Sequence, residues 1–142
     1  MTILQRFRDA VQLKDDEKLR LAVTDIFWHR PSEDVVPLLS SLLLEHWHEQ
    51  HEDIAHTLQQ FRDPRSIDAL TASLAMKFEH LERWGNEHSF KRKVTWALAD
   101  IGGPRVRQIL MDLSQDSDPE IARYAQKRLD AWEREAHRKR LQ

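Results

Sequence analysis

The chain has 142 residues, no cysteine and a formal net charge of −2 at pH 7. This length predicts a single domain, and the lack of cysteine excludes a disulfide framework and a thiolate metal site. The near-neutral charge disfavours a general nucleic-acid binder, because such proteins usually carry a basic excess.

Three helices are predicted in the first third of the chain. Thr2 is suited to cap the first helix, and the acidic run Asp15-Asp16-Glu17 is suited to the first turn of the second, where it opposes the helix dipole. Pro31 predicts that the second helix ends near Arg30. Ser32 is then expected to cap the third helix, which is the most apolar segment of the chain.

A histidine-rich stretch, EHWHEQHED, leads into the middle of the chain. The helix that follows ends where Asp63-Pro64 interrupts the pattern. Its partner is predicted to begin at Ile67 and to run on to Trp84, where Gly85-Asn86 would stop it.

The next segment, FKRKVTWALADIGGPRVRQILMDL, is predicted to be a helical hairpin with Gly102-Gly103-Pro104 at its turn. Ser117-Asp118-Pro119 then begins a last helix, since proline is favoured at the first helical position. We expect its apolar stripe to continue to Trp132 before the helix frays into the charged end EREAHRKRLQ.

The hairpins repeat. When Ile26, Phe61 and Ile101 are superimposed, an aliphatic residue lies seven positions before each anchor and another lies three positions before it: Leu19, Ile54 and Val94, then Val23, Leu58 and Leu98. Arg65 and Arg105 share the position four residues after their anchors. A period of 35 to 40 residues with two helices per unit is typical of an α-solenoid.

Three segments in particular, DIAHTLQQFRDPRSIDAL, KVTWALADIGGPRVRQIL and DPEIARYAQKRL, resemble the HEAT-repeat family, especially its short bacterial HEAT-like units. The resemblance implies an all-α, right-handed α-solenoid of about three and a half helical hairpins. It leaves the activity open, since HEAT repeats serve unrelated functions.

The same comparison predicts how residues 1–142, as one domain, are divided. A capping helix is expected at residues 1–14 and a second one at residues 117–138. Three repeats are expected between them, at residues 15–46, 47–85 and 86–116.

The histidine-rich stretch is the densest chemical signal in the sequence. The zinc-protease spacing H-E-x-x-H is absent from it. HEDIAHTLQQFRDPRSIDAL is similar to a repeat of deoxyhypusine hydroxylase, a di-iron HEAT-repeat enzyme, but only His51-Glu52 matches the ligand pairs that this resemblance implies. We therefore expect the cluster His46 to His56 to be solvated side chains at a helix start, with no metal and no cofactor. Metal binding and contact with a partner are the alternatives that the sequence leaves open.

No catalytic arrangement is recognisable. Serine lies in neither a G-x-S-x-G elbow nor a suitable S-x-x-K pair, and Gly102-Gly103 lacks a phosphate-loop pattern. The sequence therefore predicts a protein that is not an enzyme and has no small-molecule substrate.

A contact surface for a partner protein is the remaining hypothesis. Among the tryptophans, Trp84 is the best candidate for an exposed aromatic anchor, although packing against a neighbouring unit is the favoured alternative for its ring. The second helices of the hairpins are expected to line a concave face of mixed charge. The candidate partner-binding residues are Asp34, Arg65, Asp68, Trp84, Arg105, Gln108 and Asp112.

The predicted function is a non-catalytic protein-binding module, in its preferred form a bacterial immunity protein that occludes the active site of a cognate toxin. The alternatives are a general adaptor scaffold and a nucleic-acid-binding or base-excision HEAT protein, which the basic runs Lys91-Arg92-Lys93 and Arg138-Lys139-Arg140 would serve. The start MTILQRFRDA lacks the apolar run of a signal peptide, and no stretch has the roughly 18 apolar residues of a membrane span, so a cytoplasmic location is expected.

Overall fold

The computed structural model describes residues 2–28 and 33–141, and this part of the chain is helical, with no strand. A 3₁₀ turn, Pro64–Ser66, lies between the fourth and fifth helices. The helices are α1 (Ile3–Leu13), α2 (Asp16–Trp28), α3 (Val35–Leu42), α4 (His51–Phe61), α5 (Ile67–Ser73), α6 (Glu79–Arg83), α7 (Glu87–Ile101), α8 (Gly103–Leu113), α9 (Pro119–Asp130) and α10 (Trp132–Leu141).

The helices form two layers. In the first layer α1, α2, α4, α7 and α9 pack side by side in chain order, and the contact of α4 with α7 is the most extensive in the fold. In the second layer α3 packs on the 3₁₀ turn and α5, while α8 packs on α7 and α9. Each helix pair therefore packs on its neighbours in the chain, as in an all-α HEAT-like solenoid.

The repeated apolar positions of the sequence form the core between the layers. All six residues that lie seven and three positions before the anchors are buried: Leu19, Val23, Ile54, Leu58, Val94 and Leu98. Burial of a leucine or valine side chain contributes about 1.5–3 kcal/mol. The repeat pattern thus supplies much of the driving force for stacking one helix pair on the next.

The turn between α7 and α8 has the predicted residues. Gly102 has φ 74° and ψ −167°, a conformation that is essentially restricted to glycine, and its N–H donates to the carbonyl of Leu98. Pro104 then lies in the first turn of α8, where its missing N–H costs nothing.

The predicted long helix from Ile67 to Trp84 is wrong. Helix α5 ends at Ser73, and α6 is a separate helix of five residues, Glu79–Arg83. Phe78 lies between them in an extended conformation, and both Phe78 and Leu81 are buried. The break turns these two side chains into the core, and their burial outweighs continuation of a short helix.

The predicted fraying after Trp132 is also wrong, because a tenth helix follows α9 after a break at Ala131. Arg128 and Glu135 form a partly buried ion pair at 2.7 Å across this break. The Arg128 guanidinium also lies 3.5 Å from the centre of the Trp96 ring. These contacts fasten α10 against α7 and α9. The predicted cap Ser32 lies outside the described residues.

The hairpin topology defines two edges of the solenoid. We call the edge with the turns inside each helix pair, including residues 62–66 and Gly102, the turn edge. The opposite edge carries the links between pairs, residues 43–50, 74–86 and 114–118, and is called the linker edge. Among the described helices, none is long and apolar enough to cross a membrane.

Candidate partner-binding surface

Two of the predicted binding residues, Arg65 and Arg105, connect successive helix pairs near the turn edge. The Arg65 guanidinium donates to the backbone carbonyl of Glu33 at 3.0 Å, and it also pairs with Asp63 at 2.7 Å. Arg105 reaches from α8 to the Asp68 carboxylate on α5. The shared repeat position of the two arginines therefore corresponds to a shared geometry, in which each arginine bonds to the preceding pair.

Hydrogen bonding also shapes the local electrostatics. The bond from Arg65 lowers the pKa of Asp63 and raises the pKa of the arginine, against a smaller opposing effect of burial. Asp63 additionally accepts from the backbone N–H of Arg65 at 2.9 Å and so caps the 3₁₀ turn. This pair is part of the turn itself.

The other predicted residues of this region are exposed. Asp34 precedes α3, and Gln108 donates to Asp112 at 3.0 Å one helical turn further along α8. Asp34, Arg65, Asp68, Arg105, Gln108 and Asp112 thus lie on the second-layer helices or at their N-terminal ends, and we call these six residues the charged row. Its ion pair between Asp68 and Arg105 is exposed, so a partner could exchange it at small cost.

We expect the ion pair between Asp68 and Arg105 to add little stability. The side chains are 83% and 62% exposed, and exposed pairs typically contribute less than about 1 kcal/mol. A double-mutant cycle of Asp68→Ala and Arg105→Ala in urea unfolding should therefore give a coupling energy below about 1 kcal/mol. A coupling of several kcal/mol would make the pair a structural fastening.

Trp84 lies apart from the charged row, at the linker edge just after α6. It is 69% exposed, the highest value among the large hydrophobic residues described. The Arg83 guanidinium lies 5.6 Å from the centre of its ring, and Arg83 also forms an ion pair with Glu49 at 2.6 Å. Since α5 spans about 10 Å between the two edges, Trp84 lies at the opposite edge from Arg65 and Arg105.

The linker edge also holds a cleft with a volume of about 550 Å³. It opens between the link after α5 and the link after α8, and Leu74, Leu113 and Ile121 contribute apolar wall. Lys91 lines it and forms ion pairs with Asp118 at 2.7 Å and Glu120 at 3.7 Å. Burial is the largest single effect on the pKa of Lys91 and lowers it. The hydrogen bond to Asp118 and the negative charge of Asp118 act in the opposite direction, and the net result is a raised pKa.

The expectation that the histidine-rich stretch is solvated is wrong for two of its members. His48 is 1% exposed and His51 is 0% exposed, whereas His46 is exposed and His56 is half-buried. The reason lies in the tertiary structure, because residues 78–83 fold over His51. No local sequence pattern predicts this contact. Over the described ranges, no group of three or more His, Asp or Glu side chains is arranged to hold a metal ion.

Burial of these histidines predicts acid sensitivity. Burial lowers the pKa of His51 to about 3, and it also lowers the pKa of His48 and of His80. The unfolded chain, with an ordinary histidine pKa of 6.5, therefore binds more protons below pH 6.5 than the native protein does. The free energy of unfolding should fall as the pH falls from 6.5 towards 3.

For His51 alone the loss is about 2 kcal/mol at pH 5, because each pH unit below 6.5 costs about 1.4 kcal/mol. Urea unfolding at pH 7 and pH 5 measures it. The same free energy at both pH values would contradict the buried neutral histidine.

The fold and these surfaces define a helical-repeat protein, and such solenoids generally act as interaction modules. A family model described as PBS lyase HEAT-like repeat matches residues 90–116, which cover most of α7, all of α8 and the short stretch after it. The chain thus carries a HEAT-like repeat at the helical hairpin that was predicted from its sequence. Comparisons with curated proteins and with solved structures find no match.

Proposed function

We propose that the protein is a non-catalytic protein-binding module that uses Trp84 as its anchor and the charged row as a second contact. The single observation that carries this proposal is the exposure of Trp84 beside Arg83. Tryptophan and arginine are the residue types most enriched among energetic hot spots of interfaces. An indole left largely in water is a cost that contact with a partner removes.

The two groups suit a partner that reaches across the second layer from one edge to the other. The charged row offers both signs, with Asp34, Asp68 and Asp112 beside Arg65 and Arg105. Matched charges on a partner would then set register and exclude wrong partners more than they raise affinity.

The specific form of the proposal is a bacterial immunity protein, acting in the cytoplasm, that occludes the active site of a cognate toxin. Mixed charge and a single aromatic anchor fit a partner that must be recognised specifically and held at one place. A general adaptor would use the same surface without inhibiting the protein it binds.

Nucleic acid is the disfavoured partner class. Two of the three cations in the run from Lys91 to Lys93 are engaged within the protein: Lys91 with Asp118, and Lys93 with Glu52 at 2.7 Å. These pairs reduce the positive field that the run could offer to phosphates. The side chains of Arg138, Lys139 and Arg140 lie outside those that the structure describes.

Affinity capture from nuclease-treated native lysate tests the proposal. The bait is the tagged protein, and the matched control is the double variant Trp84→Ala, Asp68→Lys. A single stoichiometric protein retained by the bait and lost by the control supports a binding module. If that protein is toxic and one equivalent of bait abolishes its activity, the immunity form is supported. Retention of nucleic acid without any protein, when nuclease is omitted, would overturn the proposal.

A further inference from the structure

Two fully buried histidines lie at the linker edge, and the proposed binding function does not use them. His48 is in the link between α3 and α4, and His51 is the first residue of α4. Buried histidines are uncommon enough to require an account of both ring nitrogens.

Hydrogen bonds specify one tautomer of His48. Its Nε2 lies 2.7 Å from the carbonyl oxygen of Leu42, which can only accept, so Nε2 carries the proton. Its Nδ1 accepts from the backbone N–H of Gln50 at 3.0 Å, so this nitrogen is bare. A second proton on His48 would therefore point at the N–H of Gln50 and break this contact.

His51 is constrained in the same way. Its Nε2 lies 2.7 Å from the carbonyl oxygen of Glu45 and must donate to it. Its Nδ1 lies 2.8 Å from Nε2 of His80, and because Nδ1 is bare, His80 donates. The pair keeps this bond if His80 takes up one proton at Nδ1. It loses the bond when a second proton enters Nδ1 of His51.

Ring stacking joins this pair to three elements. The His48 and His51 rings stack with centroids 4.2 Å apart, and the other face of His51 stacks on Phe78 at 3.8 Å. Phe78 meets Phe90 of α7 edge-on at 5.8 Å. The stack therefore connects the link 43–50, the segment 74–86 and α7, and it holds α6, which is too short to be stable alone.

Charged and titratable groups face the stack from several sides. They are Asp16 of α2, then Glu45, His46 and Glu49 of the link 43–50, Glu52 of α4, and Glu79, His80 and Arg83 of α6. The carboxylates favour protonated histidine, while Arg83 and the neighbouring histidines oppose it. Burial is nevertheless the largest influence on the pKa of His48, His51 and His80, and in each case it favours the neutral ring.

We propose that the histidine stack is an acid-sensitive latch: proton uptake by His48 and His51 opens the linker edge and frees the segment 74–86, while the stacked repeats remain folded. The segment carries Trp84, so opening would change how the anchor is presented to a partner. That consequence rests on the proposed function, whereas the opening itself does not.

The size of the effect follows from proton linkage. A ring that is neutral in the closed form and titrates normally in the open form shifts the opening equilibrium about tenfold between pH 7.5 and pH 5.5. His51 alone supplies this factor, and His48 adds to it when the link 43–50 opens with the segment.

Hydrogen exchange of the full-length protein at pH 7.5 and pH 5.5 tests the latch without any partner. Rates are divided by the intrinsic exchange rate at each pH, which leaves the opening constant of each amide. We expect residues 44–51 and 78–86 to have larger opening constants than residues 94–101 at both pH values, since α7 reports global unfolding, and the constants of the first two regions to rise about tenfold or more at pH 5.5. Equal opening constants in all three regions, or no increase at the linker edge, would overturn the proposal.

Two glutamine variants serve as the matched pair. His51→Gln keeps a donor where Nε2 donates to Glu45 but cannot be protonated, so the increase on acidification should shrink about tenfold. His88→Gln removes an exposed histidine of α7 and should leave the increase unchanged. An increase in His51→Gln equal to that of the wild type would contradict the latch.

Histidine ring ¹⁵N spectra of the wild type keep the test decisive if His51→Gln does not fold. At pH 7.5 both His48 and His51 should show the Nε2–H tautomer, and the closed form should keep both rings neutral at pH 5.5. Protonation of either ring in the closed form, with a midpoint near pH 6.5 and no change in exchange, would refute the proposal. Failure of partner capture would leave these results unaffected.

Discussion

Replacement of Trp84 by alanine is expected to weaken binding of the captured partner by at least about 2 kcal/mol, which is roughly 30-fold in Kd. The reason is that an exposed indole beside an arginine can bury a large rigid surface with little loss of side-chain entropy. Titration calorimetry with the purified partner measures the affinity. The melting temperature should hardly change, because the ring is 69% exposed in the free protein.

Leu13→Ala is the matched control for Trp84→Ala. Leu13 is also a largely exposed hydrophobic residue, and it lies at the C-terminal end of α1, outside the set of candidate binding residues. We expect its affinity to stay within twofold of the wild type. Equal affinities of Trp84→Ala and Leu13→Ala would remove Trp84 from the interface.

Leu98→Ala should have the largest effect on stability, a loss of about 2–5 kcal/mol. Leu98 is fully buried in α7, the helix that packs on α4, α8 and α9, so its truncation leaves a cavity in the middle of the solenoid. Small domains have only about 5–15 kcal/mol of total stability. Urea unfolding monitored by circular dichroism measures the change.

The same substitution at a partly exposed leucine separates burial from helix propensity. Leu21→Ala lies on α2, where the side chain is 44% exposed. We expect a loss of stability below about 1 kcal/mol, because folding buries little apolar area of this side chain and its truncation leaves no cavity. Equal losses for the two variants would mean that the core does not depend on the repeat positions.

The repeat positions were predictable because they obey a local rule. Leu58 and Leu98 lie three residues before their anchors and face the neighbouring pair, so helical spacing alone identifies them as core. Turns were predictable for a similar reason. Gly102 ends α7 and Asp118 caps α9 through hydrogen bonds to residues at most four positions away. A local stretch of sequence therefore contains their hydrogen-bond partners.

The break after Ser73 was not predictable, since the residues from Leu74 to Trp84 contain neither glycine nor proline and continue a helical pattern. The break is decided by Phe78, which gains contacts with His51 and Phe90 when the helix ends. Those rings come from distant parts of the chain. The division of the chain at residues 15–46, 47–85 and 86–116 stays a prediction.

The candidate site shows the same distinction. The sequence favoured packing of Trp84 against a neighbouring unit over exposure, and in the structure this residue is 69% exposed. Burial of His48 and His51 ran against their polarity. It requires carbonyl acceptors at Leu42 and Glu45 and a ring donor at His80, and the last of these lies 29 residues beyond His51.

The sequence by itself determined the helical repeat, its turns and the apolar stripe of each pair, because these depend on spacing and on local backbone preferences. Only the tertiary structure decided where α6 and α10 begin, which histidines lose contact with water, and how the candidate binding residues divide between two edges. Those outcomes depend on surfaces brought together by stacking. Burial energy summed over such surfaces exceeds the propensity of any one short segment.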